Sequence, residues 1–265
     1  MRQLVFVALL LAMTSATAAG SEQCAQGVTE VHVRGNDYCL AYKAFGPAGE
    51  AGKTLVVLLH GDLSGGGTAD YMSRRAESLA KDAEGVVAIA LARPGYSFSD
   101  GSRSGGSAGD RTDHYTQANI DSVADAVARL KAAWQPVRTV MVGHSGGAAT
   151  EGVIAGRQPG MADAYVLLAC PCDIVAWRSD GNRRQWPASL GPSEFADKVP
   201  TTAMVLALTG TSDSNTSPSL ARNYIRSLNG RGLAAEYIDI SGVGHNINDD
   251  YWNGARDAVL RAVRG

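Results

Sequence analysis

Three residues that could share one piece of chemistry lie far apart in the chain but in similar company. Ser145 stands in Gly143-His144-Ser145-Gly146-Gly147, just after the apolar run Thr139–Val142. Asp213 closes Thr209-Gly210-Thr211-Ser212-Asp213 after Ala203–Leu208, and His245 closes Ser241-Gly242-Val243-Gly244-His245 after Glu236–Ile240. A serine hydroxyl is a weak nucleophile until a base within hydrogen-bond reach takes its proton. Histidine is suited to take that proton and pass it to a leaving group. A carboxylate behind the imidazole fixes its tautomer and stabilises the imidazolium. Such a set attacks acyl carbonyls. The spacing around Ser145 fits a turn so tight that residues two positions away must lack bulk. In a chain with 31 glycines a G-x-S-x-G pentapeptide is weak evidence alone, so its context has to support it.

Other assignments stay open at this point. Asp173 also follows an apolar run, Ala164–Ala169, and is an alternative to Asp213 as the acid. His60 and His144 sit close to the same run ends and read as structural, while His32 and His114 read as surface or packing histidines. Trp177, Trp186 and Tyr96 are candidates to line a substrate pocket. Arg178, Arg183 and Arg184 read first as solvated charges, with a substrate carboxylate as the alternative reading.

Elements must then bring the three residues together. Thr54–Leu59, Val86–Leu91, Thr139–Val142, Ala164–Ala169, Ala203–Leu208 and Glu236–Ile240 are continuous apolar runs, as strands buried on both faces are. Between them, Gln117–Trp134 places Ile120, Val123, Ala124, Val127, Leu130 and Trp134 on one helical face, with Thr116 as its N-cap. Tyr71–Ala83, Gly147–Gly156, Pro218–Leu228 and Trp252–Val263 are further helices. This alternation predicts a parallel sheet with right-handed crossovers. Val28–Arg34 and Tyr38–Phe45 add an antiparallel hairpin, which makes eight strands. In such sheets ligands bind at the carboxyl ends of strands, where all three residues fall. Arg93–Arg111, dense in Gly and Ser, is predicted to be a surface loop. Residues 173–199 are longer than a connection needs and predict a small cap.

Composition excludes some classes. Hydrophobic content of 45% with 19% charged residues is that of a globular chain, and a net charge of −2 without a basic stripe gives no nucleic-acid signal. Arg2, the apolar run Leu4–Met13 and the small residues Thr14–Ala19 predict a signal peptide over residues 1–19, too short to span a membrane. Export places the chain in a secreted or periplasmic compartment, where four cysteines favour disulfides. Cys24 and Cys39 flank the hairpin and are expected to pair across it. Cys170 and Cys172 are compatible with two thiols or a bridge. Cysteine and histidine spacing offers no zinc set, and no cofactor is expected.

Over residues 28–264 the chain resembles the α/β-hydrolase-fold serine hydrolases. Besides the ordered Ser145, Asp213 and His245, Leu58-Leu59-His60-Gly61 is similar to the family's oxyanion-side strand end. Ala92–Asp100 resembles its R-G-x-G-x-S-like loop, with Pro94 where glycine is usual. The resemblance implies an eight-stranded, mostly parallel sheet flanked by helices, with the cap between strands six and seven. It further implies oxyanion donors at the amides of Gly146 and Asp62. A carboxylate beside an oxyanion is repulsive, so either the Asp62 side chain turns away or the Leu63 amide serves instead. The implied activity is hydrolysis of carboxylic esters through an acyl-enzyme. Cleavage of short peptides is the alternative, and a non-catalytic binding protein on the same fold is a third reading.

Overall fold

Uninterrupted Val, Ile and Leu runs pair side by side, as strands covered on both faces must. The computed structural model describes Cys24, residues 27–47 and residues 53–265. The expected signal peptide lies outside the described residues. One sheet carries β1 (His32–Arg34), β2 (Cys39–Phe45), β3 (Thr54–Leu59), β4 (Val86–Leu91), β5 (Arg138–His144), β6 (Ala164–Leu168), β7 (Met204–Gly210) and β8 (Ala235–Ile240), in the order β1-β2-β4-β3-β5-β6-β7-β8. β2 is antiparallel to both neighbours, and the pairs from β4 to β8 are parallel. β5 therefore sits inside the sheet with its carboxyl end open to a crevice.

The helices are α1 (Asp70–Asp82), α2 (Gln117–Trp134), α3 (Gly146–Arg157), α4 (Ile174–Asp180), α5 (Pro218–Asn229) and α6 (Asp249–Arg264). Strand side chains alternate between two cores. Leu55, Val57 and Leu59 join the core beneath α2, α3 and α5, while Val56 and Leu58 join that beneath α1 and α6. Thr116 caps α2 as expected, accepting from the Asn119 amide. The predicted cap lies between β6 and β7 and holds α4 and a 3₁₀ stretch, Pro192–Lys198. Among the described residues, no helix is long and apolar enough to cross a membrane.

Three expectations are corrected. β1 is shorter than Val28–Arg34, because Thr29 and His32 close a turn that folds Val28 back onto Val33. β8 is an edge strand, so Glu236 and Asp239 stay exposed and the strand is not buried on both faces. Arg93–Arg111 is not simply a surface loop: Arg93, Tyr96, Phe98 and Ser104 are buried. Its Gly and Ser content reflects internal hydrogen bonding instead. Ser104 Oγ donates to the Ala92 carbonyl at 2.6 Å and accepts from the Ala41 amide at 2.9 Å. Cys24 is bridged to Cys39, and Cys170 to Cys172.

Candidate active site

β5 ends at His144 and α3 begins at Gly146, so Ser145 makes the whole turn between them. Its φ of 52° and ψ of −116° lie where L-residues are strained. The surroundings hold it there: its amide donates to the Leu168 carbonyl at 2.8 Å, and its carbonyl accepts from Ala149 at 2.9 Å. The glycines follow from close approach. A Cβ at Gly143 would lie 2.5 Å from the Ala148 nitrogen, one at Gly147 would strike the Leu59 carbonyl, and one at Gly146 would strike the Asp62 carboxylate.

The three distant residues meet at this turn. His245 Nε2 lies 3.0 Å from Ser145 Oγ, and His245 Nδ1 lies 2.9 Å from Asp213 Oδ2. Because a carboxylate only accepts, Nδ1 carries the hydrogen and Nε2 presents its lone pair to the hydroxyl. Asp213 is fixed in turn by the amides of Asn215 and Thr216 at 2.8 and 2.9 Å on Oδ1, and by Thr216 Oγ1 at 2.7 Å on Oδ2. Burial pushes its carboxyl up, but the hydrogen bonds from His245 and Thr216 outweigh this and leave its pKa below the ordinary value. Asp173 has other employment: its Oδ1 caps α4, accepting from the Ala176 amide at 2.9 Å.

His144 is structural, and it positions the His245 loop. Its Nε2 lies 2.9 Å from the His245 carbonyl, so that nitrogen donates and Nδ1 accepts from the Tyr71 hydroxyl at 2.8 Å. Tyr71 also accepts from the Gly61 amide at 2.5 Å, which ties the His245 loop to the loop after β3. Burial and the neighbouring His245 hold the His144 pKa down at about 3, so the ring stays neutral. His60 is likewise buried, accepting the Arg93 amide at 2.9 Å. His32 and His114 are packing histidines, both buried.

The Asp62 charge is neutralised beside Gly146. Its carboxylate is buried, ion-paired to Arg93 Nη2 at 2.7 Å and hydrogen-bonded by the Tyr115 hydroxyl. Tyr96 is not a pocket residue. It is buried, and its hydroxyl donates to the Asp62 carbonyl at 2.7 Å, so it braces the loop from behind. Trp177 and Trp186 do line a crevice of about 580 Å³ with Ser145 and His245, as do Arg178 and Arg183. Tyr71, Thr216 and Tyr115 were not singled out in the sequence. Only Thr216 left a local signal, in the turn-forming Asp213-Ser214-Asn215 before it. Among the described residues no group of His, Cys, Asp and Glu is arranged to hold a metal ion.

Comparison with known proteins gives the same frame. The bound-ferulate structure of Est1E from Butyrivibrio proteoclasticus superposes with a TM-score of 0.67 at 15% identity, covering 88% of this chain and 99% of that one. The Pyrococcus furiosus esterase Pf2001 gives 0.67 at 15% identity, covering 92% and 94%. The Pyrococcus horikoshii acylaminoacyl peptidase gives 0.64 at 12% identity, covering 87% of this chain and 40% of that one. Identities this low show a shared fold. No curated protein matches the chain. A model described as the alpha/beta hydrolase family matches residues 56–199, more than half of the chain, from β3 through the Ser145 turn to the end of the cap. With that match laid over the sheet order and the Ser145 turn, the chain belongs to the alpha/beta hydrolase family.

Proposed function

We propose that this chain is an exported serine hydrolase that cleaves carboxylic esters through an acyl-enzyme on Ser145. The observation that carries the reading is the unbroken chain Ser145 Oγ, His245, Asp213, with links of 3.0 and 2.9 Å. Ser145 Oγ bonds to the ester carbonyl carbon as its proton passes to His245 Nε2. That proton then goes to the alcohol oxygen as the carbon–oxygen bond breaks. Water, deprotonated by the same nitrogen, attacks the acyl carbon, the bond to Ser145 Oγ breaks as the proton returns to that oxygen, and the acid is released. Asp213 stabilises the imidazolium in both halves. The amides of Gly146, at the head of α3, and of Asp62 are assigned to the oxyanion, and one such donor is worth about 3–4 kcal/mol in the transition state.

Charge in the crevice favours esters over peptides with a free amino end. Its lining carboxylate, Asp62, is held by Arg93 and Tyr115, leaving arginines to face the substrate. A substrate ammonium would meet like charge there. Export is supported by the leader-like residues 1–19 and by the two bridges.

A fluorophosphonate probe should label the wild-type protein and not Ser145→Ala. Absence of labelling on the folded wild type would overturn the enzymatic reading and leave a binding protein. With labelling in hand, 4-nitrophenyl acetate and butyrate should be turned over at least tenfold better in kcat/KM than aminoacyl and prolyl 4-nitroanilides. Comparable values would shift the assignment to a peptidase.

A further inference from the structure

The cap sets two arginines in the crevice that holds Ser145, and among the described residues neither is ion-paired. Arg178, on α4, and Arg183, just beyond it, line the same crevice as Ser145. Both are half-buried, whereas Arg184 next door is exposed and outside the crevice. Arg178 lies over the Trp186 ring at 4.5 Å and the Trp177 ring at 5.2 Å, and Arg183 lies over Trp177 at 5.3 Å. Stacking on indole faces fixes the planes of guanidinium groups while leaving edge donors available. Arg178 Nε donates to the Arg184 carbonyl at 2.8 Å, and among the described residues neither of its Nη atoms makes a hydrogen bond. Arg183 is anchored through Asn215, by Nη1 to Oδ1 at 3.0 Å and Nη2 to the carbonyl at 3.2 Å. Asn215 also donates its amide to Asp213, so the cap arginine and the triad acid share one support.

No carboxylate of the described residues is ion-paired with Arg178 or Arg183. A third arginine, Arg111, also faces the crevice, its guanidinium bound to the Leu63 and Gly67 carbonyls of the oxyanion-side loop. Burial and the charge of Arg183 push the Arg178 pKa down and outweigh the opposing charge of Asp113, whose carboxylate is instead engaged by the Ala188 amide and the Ser189 hydroxyl. Solvated charges would instead extend away from each other.

We infer that Arg178 and Arg183 form a subsite for a carboxylate carried by the substrate, so that the site selects anionic esters over neutral ones. This rests on the hydrolase reading of Ser145. A carboxylate placed there accepts charge-assisted hydrogen bonds from the fork of Arg178, relieves its repulsion with Arg183, and lies against the apolar faces of Trp177 and Trp186. A crevice of about 580 Å³ has room for an ester with a charged arm on either side of the scissile bond.

Two pairs of an acid and its methyl ester test this and separate the two sides. Mono-4-nitrophenyl adipate against its methyl ester places the charge on the acyl arm, and 4-acetoxybenzoate against methyl 4-acetoxybenzoate places it on the leaving group. At least one anionic member should exceed its neutral partner roughly tenfold or more in kcat/KM, mainly through KM. The preference should shrink as salt rises. In Arg178→Gln/Arg183→Gln the anionic-to-neutral ratio should fall close to one. Equal turnover of both members in both pairs, or a ratio unchanged in the double variant, overturns the subsite and leaves the catalytic reading standing. Binding of mono-4-nitrophenyl adipate to Ser145→Ala, followed calorimetrically, needs no chemistry. If no ester is turned over, that affinity and its loss in the arginine variants decide the subsite separately.

Discussion

Two aspartates follow strands on the Ser145 side of the sheet, and the neighbours of each decide its chemistry. Asp213 faces the imidazole and is held by two amides and a hydroxyl. Asp173 spends its carboxylate on the first turn of α4. Asp213→Asn replaces an acceptor oxygen with a donor amide or leaves the tautomer unfixed, so kcat should fall by about 10³–10⁴. Asp173→Asn keeps a side chain that caps helices equally well, and kcat should stay within about threefold. Steady-state kinetics on the two variants checks this, and the reverse pattern would make Asp173 the acid. The order of Ser145, Asp213 and His245 was legible because each stands a few residues past the end of an apolar run. The neutralisation of Asp62 was not, because Arg93 and Tyr115 come from separate segments and no local spacing links them.

Among the elements, α3 carries the most constraint. It leads away from Ser145 and is buried from Gly146 to Gly156, so it has no solvent face on which to place polar residues. Apolar periodicity was correspondingly faint there, and small residues rather than a stripe marked it. Glu151 is fully buried on this helix, and burial raises its pKa well above the ordinary carboxyl value. The sign of the consequence follows from linkage. Below the pKa of the unfolded chain, about 4.3, both states hold the proton and Glu151 costs nothing extra. As pH rises past it, the unfolded chain releases a proton that the folded chain keeps, and stability declines until the folded-state pKa is reached. Glu151→Gln removes that decline. Its Tm relative to wild type should therefore rise between pH 5 and pH 8 in scanning calorimetry. A difference that is constant or falls with pH would mean that Glu151 is charged in the folded protein.

At the scale of the molecule, the sheet was legible from its interior outward. Runs such as Val86–Leu91 and Ala164–Leu168 announce strands covered on both faces, whereas the edges do not. β8 mixes Glu236 and Asp239 with its apolar residues, and β1 retains three residues of the predicted seven. Which way the cap turns Trp177, Arg178 and Trp186 was likewise not written in local pattern, because a seven-residue helix has too few turns to define a face and Trp186 lies in the irregular stretch beyond it. Short edges resist pairing with other chains but contribute little adhesion of their own, so the β1–β2 edge depends on its ties. One is covalent: Cys24 and Cys39 stand 15 residues apart in sequence, and a loop of that length restricts the unfolded chain by about 3 kcal/mol. For a protein of this size each kcal/mol moves Tm by about 2–4 °C, so Cys24→Ser/Cys39→Ser should melt about 6–12 °C lower. The double variant is preferable to a reductant, which would also open Cys170–Cys172. If the edge belongs to the same cooperative unit as β3–β8, calorimetry will show one transition displaced by that amount. A Tm within about 1 °C of wild type would mean that the hairpin opens independently and that the bridge guards only the chain's approach to the sheet.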